Sequence, residues 1–212
     1  MRAGRDPAAV RLLAVTKTVP PDVVKEAIDA GIRLVGENRV QEAEKKMDVL
    51  KGLIPDTVSW HMIGHLQKNK AKVAVRLFDL IESLDSIALA ERIDRYARDA
   101  EKIQRVFLQV KLSPEETKTG IPPEDLERDI ERYFSFKNIL PLGLMTIPPY
   151  SPDPENSRPF FRRLRELREA LEKRGFSLPE LSMGMSGDYE VAVEEGATIV
   201  RVGTAIFGER VY

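Results

Sequence analysis

The first strand of the fold is predicted by the stretch Leu12-Leu13-Ala14-Val15-Thr16-Lys17-Thr18, in which four apolar residues lead into a threonine and a lysine. The pair Pro20-Pro21 follows almost at once. Short apolar runs bounded by turn residues are typical of strands buried on both faces. We therefore predict a strand over 12–16 that ends at Lys17. α/β proteins keep functional residues at such strand ends, although the position also suits a lysine that is simply the first solvated residue after the strand.

The same alternation of strand and helix recurs eight times, at a mean spacing of about 25 residues. Right-handed strand–helix–strand crossovers make a parallel sheet the natural outcome, and no linker divides the chain. We predict an α/β protein with one domain over 1–212, a single (β/α)₈ TIM barrel. An open doubly wound sheet is the alternative, but no G-x-G-x-x-G follows the first strand and eight units suit closure. The predicted strands cover 12–16, 33–37, 58–63, 78–83, 105–110, 139–146, 180–183 and 198–202.

Composition excludes several classes of function. The 212 residues include 33 Lys and Arg against 34 Asp and Glu, a formal net charge of -1, so we expect no nucleic-acid or anionic-membrane partner. The absence of cysteine excludes disulfides, thiolate zinc sites and cysteine nucleophiles. With only two histidines, His61 and His65, we expect no metal site. No apolar run approaches the roughly 18–20 residues of a membrane span, and the first residues lack the apolar core of a signal peptide, so we expect a cytoplasmic protein.

Two turns of small residues follow the last two predicted strands. Ser186-Gly187-Asp188 opens the helix after strand seven, and Gly203-Thr204-Ala205 opens the helix after strand eight. Free backbone N–H groups at such turns bind phosphate, and barrels commonly hold phosphate at this place. Ser186 and Thr204 would add hydroxyl donors. Ordinary capped turns would have the same composition, so the two interpretations stay open on this pattern alone.

Closure of the barrel makes strand one the neighbour of strand eight, which brings Lys17 next to the predicted phosphate turns. A lysine beside a phosphate site suggests a Schiff base with a phosphorylated aldehyde. Cationic neighbours and loss of water lower the pKa of a lysine and make it nucleophilic. Two ligands suit this arrangement: pyridoxal 5′-phosphate (PLP) as a cofactor, or a sugar-phosphate aldehyde as the substrate of a cofactor-free lysine aldolase.

The chain resembles the pyridoxal phosphate homeostasis protein family in seven blocks of sequence. They occur in the order typical of that family and span nearly the whole chain. The blocks are Ala14-Val15-Thr16-Lys17, Gly36-Glu37-Asn38, Trp60-His61-Met62-Ile63-Gly64-His65-Leu66-Gln67-Lys68-Asn69-Lys70, Gly143-Leu144-Met145-Thr146, Asp153-Pro154-Glu155, Ser182-Met183-Gly184-Met185-Ser186 and Val200-Arg201-Val202-Gly203-Thr204-Ala205-Ile206-Phe207-Gly208.

The resemblance implies a fold-type III PLP-binding barrel related to the N-terminal domain of alanine racemase. It implies a protein that binds PLP covalently and serves intracellular PLP (vitamin B6) and amino-acid homeostasis, with no established turnover. A PLP-dependent racemase is the alternative, but related racemases take an acid/base partner from a second β domain that this chain lacks. We expect a monomer whose partners are PLP and, as recipients, PLP-dependent apo-enzymes.

The resemblance also implies roles for individual residues. Lys17 matches the Schiff-base lysine, and Arg201 matches the arginine that faces the pyridine nitrogen. An arginine is always cationic, so it disfavours protonation of that nitrogen and weakens the cofactor as an electron sink. The phosphate cradle and the remaining positions near the cofactor are matched by Ser186, Gly187, Gly203, Thr204, Asn38, His61 and Met183, of which Met183 suits core filling equally well.

One departure from the family lies at the N-terminus. The family usually has a helix before the segment Ala3-Gly4-Arg5-Asp6-Pro7, whereas here only Met1-Arg2 precede it. We therefore expect a patch on the outer face or at one rim of the barrel to lack its cover.

Overall fold

The structure, a computed structural model, describes residues 3–113, 115 and 119–209. Eight parallel strands pair in chain order, and the last pairs with the first, so that the sheet closes into a barrel. The predicted (β/α)₈ barrel is thereby confirmed, and the open doubly wound sheet was the wrong alternative. The strands are Arg11–Val15 (β1), Leu34–Glu37 (β2), Ser59–Met62 (β3), Leu80–Leu84 (β4), Gln104–Gln109 (β5), Ile139–Met145 (β6), Glu180–Ser182 (β7) and Ile199–Val202 (β8).

A helix follows each strand and covers the outside of the barrel. Proline begins two of these helices, at Pro21 and Pro123, where the missing N–H has no partner to lose. None of the described helices is long and apolar enough to cross a membrane. The helices are Pro21–Asp29 (α1), Val40–Leu50 (α2), Ala71–Leu77 (α3), Ile87–Asp99 (α4), Pro123–Ser135 (α5), Arg158–Lys173 (α6), Tyr189–Glu194 (α7) and Thr204–Phe207 (α8), with 3-10 turns at Pro7–Ala9, Lys68–Lys70 and Pro154–Ser157.

A side-chain cap is present at the start of α4 but not at the start of α2. The sequence predicts Asp85 or Ser86 as the N-cap of α4, and Ser86 takes that place, with its hydroxyl accepting from the Leu89 N–H. The sequence also favours Asn38 as the N-cap of the helix after β2. This prediction is wrong, because Arg39 occupies the N-cap position of α2 and offers no side-chain hydrogen bond. Asn38 lies one residue earlier, at the end of β2, and is left available to the carboxyl end of the barrel.

The core consists of two apolar clusters separated by the sheet. The smaller one fills the barrel and includes Leu13, Phe107 and Ile199. The larger one lies between the strands and the helices. Because both faces of the sheet are buried, the strands read as nearly continuous apolar runs rather than as alternating patterns.

Proline and glycine in β6 are accommodated by an irregular ladder. The register with β5 shifts between Val106 and Phe107, opposite Pro141 and Gly143. A Cβ atom on Gly143 would lie 2.2 Å from the Glu180 carbonyl oxygen, so the close approach of β6 and β7 requires a glycine there.

The sequence also predicts a polar loop over 111–120, and this loop falls partly outside the described residues. Met1 and Arg2 lie outside them entirely. Its two ends are held together by a bridge between Val110 and Ile121. The Lys111 N–H donates to the Ile121 carbonyl at 2.9 Å.

Candidate functional site at the carboxyl end of the barrel

A cavity of about 450 Å³ opens at the carboxyl ends of the strands. A smaller one of about 310 Å³ adjoins it and shares Lys17, Gly203 and Thr204. The larger cavity combines one amine, one guanidinium and two turns of small residues. Of the nine residues predicted for the site, seven line it: Lys17, Asn38, Ser186, Gly187, Arg201, Gly203 and Thr204.

Lys17 lies two residues after the end of β1, on a turn whose backbone is held on both sides. Thr18 adopts a φ of 64°, an uncommon left-handed conformation for a non-glycine residue. The Thr18 N–H donates to Glu42, and the Thr16 carbonyl accepts from the Lys46 amine at 2.6 Å. Both partners come from α2, so that helix fixes the peptide groups that flank Lys17.

The Lys46 amine also forms a buried ion pair with Glu37 at the end of β2. The Thr16 hydroxyl donates to the same Glu37 Oε1 at 2.6 Å, whereas Oε2 is buried and accepts no hydrogen bond within the part of the chain that the structure describes. Burial raises the pKa of Glu37 above its ordinary value, and Lys46 and Thr16 counteract this only in part.

The two turns predicted to hold phosphate converge on Ser186. The Ser186 hydroxyl oxygen accepts from the Gly203 N–H at 3.2 Å and from the Ala205 N–H at 3.4 Å. Asp188 fixes the first turn, since its carboxylate accepts from the Met185 N–H at 2.7 Å and from the Ser157 hydroxyl at 2.8 Å. The backbone N–H groups of the second turn therefore point toward an oxygen of the first.

Arg201 is 3 % exposed and leaves β8 toward the cavity. Its guanidinium donates to the Ser182 hydroxyl and to the Thr146 carbonyl, each at 2.7 Å. Burial lowers the pKa of Arg201, and the nearby carboxylates of Glu82 and Asp188 oppose that shift. An arginine stays cationic at physiological pH even so.

Glu82, on β4, is a fully buried carboxylate that the sequence did not single out. Its Oε1 lies 2.7 Å from His61 Nδ1, and its Oε2 accepts from the Ser182 hydroxyl. Burial alone would raise the pKa of Glu82, but His61, Arg201 and Ser182 together bring it below its ordinary value. The available signal was a single acid within the otherwise apolar stretch Leu80-Ile81-Glu82.

The remaining two predicted residues do not reach the cavity. His61 is buried inside the barrel against Glu82, and because a carboxylate only accepts hydrogen bonds, Nδ1 carries the proton. Met183 is fully buried in the core between strands and helices. His65 lies on the rim, where its ring faces Asp85 at 3.1 Å.

The loop after β6 adds residues that the sequence pattern did not indicate. Tyr150 lines the cavity and is 89 % exposed, and Pro149 and Ser151 lie beside it. Loop residues of this kind have no periodic signal from which a position could be inferred. Among the described residues, no group of His, Cys, Asp and Glu side chains could hold a metal ion.

The chain matches a family model and several curated relatives over nearly all of its length. The model is that of the alanine racemase N-terminal domain, over residues 2–211. The pyridoxal phosphate homeostasis protein of Aquifex aeolicus is 50% identical over 212 residues, which are 100% of this chain and 92% of that protein. The protein of the same name from Synechocystis is 42% identical and covers 96% of this chain and 93% of its own length.

Solved structures of similar proteins agree with these sequence matches. PipY of Synechococcus elongatus, with PLP bound, is 42% identical and superposes with a TM-score of 0.90 over 98% of this chain and 96% of its own. The structure of PipY without PLP superposes with a TM-score of 0.91. An alanine racemase of Clostridium difficile is 13% identical, with a TM-score of 0.78 over 100% of this chain and 55% of its own, and shares the fold alone.

Proposed function

The chain belongs to the pyridoxal phosphate homeostasis protein family, and from this premise we propose that it holds PLP as a Schiff base on Lys17 and serves intracellular PLP and amino-acid homeostasis. The observation that carries the proposal is the meeting of Lys17, Arg201 and the Ser186 turn in one cavity. The PLP-bound structure of PipY, a 42% identical relative, supports the same ligand.

The residues of the cavity fit the chemistry of PLP. When bound, PLP supplies an aldehyde that reacts with an amine, together with a pyridine ring that can accept electrons. Lys17 provides the amine, and the Ser186 hydroxyl with the N–H groups of Gly203 and Ala205 suits the phosphate. Gly187 and Thr204 lie on the same two turns. Arg201 would face the ring nitrogen, and Asn38, which lines the same cavity, would lie near the cofactor.

We propose a carrier rather than an enzyme with turnover of its own. A permanent cation at Arg201 disfavours protonation of the ring nitrogen, so the ring would accept electrons poorly. We further propose that the chain is one domain, that it acts as a monomer in the cytoplasm, and that PLP-dependent apo-enzymes receive the cofactor.

Reduction of the loaded protein tests the proposed function. The purified protein is mixed with PLP, its visible absorption is recorded, and borohydride is added before peptide mass analysis. We expect an absorption band that borohydride removes and a pyridoxyl mass on the Lys17 peptide. Lys17→Ala should abolish both, whereas Lys45→Ala, an exposed lysine on α2, should leave both unchanged.

The same experiment separates the cofactor-free aldolase. A protein that forms no band with PLP but is trapped by borohydride with a sugar-phosphate aldehyde on Lys17 would contradict the proposal. A pyridoxyl mass found only on other lysines would contradict it as well.

A further inference from the structure

A chain of polar side chains crosses the interior of the barrel beneath the cavity. It runs from His61 on β3 to Glu82 on β4, then through the Ser182 hydroxyl on β7 to Arg201 on β8. All four residues are buried. Because a carboxylate only accepts, Ser182 must donate to Glu82 and accept from Arg201, which leaves one possible direction for these two hydrogen bonds.

The charges of these four side chains are balanced only if Glu82 is ionised. Glu82 is faced by His61 and Arg201, and Arg201 is faced by Glu82 and by Asp188 beside the phosphate turn. Lys17 lines the same cavity as Arg201. An uncompensated guanidinium at this depth would be costly, and Glu82 is the only one of these carboxylates joined to it through a single hydroxyl.

We propose that Glu82 is the buried counter-ion of Arg201: acting through the Ser182 hydroxyl, it positions the guanidinium and sets the electrostatic potential at the ring-nitrogen side of the PLP pocket. The part of this inference that concerns the PLP pocket rests on the proposed function. The link between Glu82, Ser182 and Arg201 is a property of the chain itself and is tested without PLP.

Removal of the negative charge of Glu82 should shift the titration of bound PLP in a predictable direction. With Arg201 uncompensated, the potential in the cavity becomes more positive, and bound PLP gives up its proton at lower pH. Glu82→Gln keeps the shape of the side chain. We expect it to move the midpoint of the pH-dependent visible absorption of the PLP-loaded protein by about one unit toward lower pH, with PLP still bound because the ligand is anionic.

Removal of the bridge gives a second readout, in the protein without PLP. In the wild type, the two hydrogen bonds of Arg201 should hinder rotation of its guanidinium, so its Nη protons should give separate NMR signals, assigned by their absence in Arg201→Lys. Ser182→Ala keeps both charges but breaks the bridge, and we expect these signals to merge or broaden beyond detection.

A neighbouring serine supplies the matched control. Ser83 is on the same strand as Glu82, is equally buried, and its hydroxyl has no hydrogen-bond partner among the described residues. Ser83→Ala should leave both readouts at their wild-type values. The inference is overturned if Glu82→Gln titrates like Ser83→Ala, or if Ser182→Ala keeps the Arg201 signals of the wild type.

The two proposals fail in distinguishable ways. A wild-type protein that binds no PLP overturns the proposed function, and the Arg201 signals then decide alone whether Ser182 anchors the guanidinium. If Glu82→Gln does not fold, Ser182→Ala decides by the same signals.

Discussion

Glu82 remains ionised inside the barrel although its side chain has no exposure to solvent. Burial by itself would raise its pKa, yet the hydrogen bond with His61, the charge of Arg201 and the Ser182 hydroxyl bring it below the ordinary value of 4.5. Ionisation of this one carboxyl group is therefore linked to folding.

The linkage predicts a loss of stability in acid. Because the pKa of Glu82 is lowered on folding, its contribution is present above about pH 4.5 and is lost as the pH falls through the folded-state value. We expect Glu82→Gln to lower the free energy of unfolding by about 2 kcal/mol at neutral pH, and by less below pH 4.5. Urea unfolding followed by the fluorescence of Trp60, the single tryptophan, measures both values.

Ser83→Ala again serves as the control for a buried change on the same strand. It should differ from the wild type by a constant amount at every pH. A constant deficit for Glu82→Gln from neutral pH to acid would contradict the linkage.

Residue by residue, strand ends were easier to predict than pairings across the barrel. Lys17 follows the apolar run of β1, and Arg201 lies one residue before the end of β8. Closure of the barrel in chain order brings both residues to the same end of the barrel. The contacts of Glu82 with His61 and Ser182 depend on which side chains point inward at the same level, and that depends on register and strand tilt. No short stretch of sequence contains that information.

Among the secondary-structure elements, α2 is joined to the turn after β1 by two hydrogen bonds from its side chains to the backbone. Lys46 and Glu42, one helical turn apart, bind the Thr16 carbonyl and the Thr18 N–H on either side of Lys17. The buried pair of Lys46 with Glu37 attaches the same helix to β2. The position and orientation of Lys17 therefore depend on α2, a helix that does not itself line the cavity.

Loss of the Lys46 charge should weaken the fold strongly. Lys46→Met keeps the length of the side chain but leaves Glu37 buried without its cation, so we expect a loss of about 3–5 kcal/mol in the free energy of unfolding. The pKa of Glu37 is raised on folding even in the wild type, so the loss should grow as the pH rises, because the ionised form is the one disfavoured by burial.

Lys45→Met is the matched control, since Lys45 is exposed on the same helix. Its stability should lie within about 0.5 kcal/mol of the wild type. Equal losses for the two variants would show that the buried pair is not what connects α2 to the barrel.

Element types followed from the sequence, whereas their ends were displaced by a residue or two. The predicted strand over 58–63, for example, is Ser59–Met62. The sequence also predicts a helix from about 67 to 76, which begins as a 3-10 turn at Lys68–Lys70 and continues as α3. Asn38 was misassigned because a capping residue and a residue at the carboxyl end of a strand occupy adjacent places in a short strand-to-helix connection. Local propensity does not separate the two.

For the molecule as a whole, closure divides the core into an inner and an outer cluster. Adjacent residues of β1 belong to different environments. Leu13 points into the barrel and is completely buried, whereas Leu12 faces outward and is 41% exposed. The loss of stability on truncating a leucine of β1 should therefore depend on whether its side chain points into the barrel or out of it.

Truncation of these two leucines tests the closed barrel. Leu13→Ala should cost about 2–5 kcal/mol in the free energy of unfolding, because it opens a cavity in the inner cluster. Leu12→Ala should cost less than about 1 kcal/mol. Urea unfolding of both variants measures the difference, and similar losses at the two positions would be inconsistent with an inner face at Leu13.

Eight repeating units and the lack of a dinucleotide fingerprint were sufficient to predict the barrel. The loop after β6 brings Tyr150 to the cavity, but it contains no periodic pattern from which its path could be predicted. Some of its described hydrogen bonds are local, such as those that the Ser151 hydroxyl oxygen accepts from the Asp153 N–H and the Asn156 side-chain amide.

Arg201 is already dehydrated and hydrogen-bonded at both ends of its guanidinium in the protein alone. The rotational freedom of this long side chain is therefore lost during folding and not at the moment of ligand capture. A side chain that is already ordered in the free protein adds to ligand affinity because it does not lose conformational freedom on binding. Under the proposed function, Arg201 therefore needs no ordering when PLP binds and no disordering when PLP leaves.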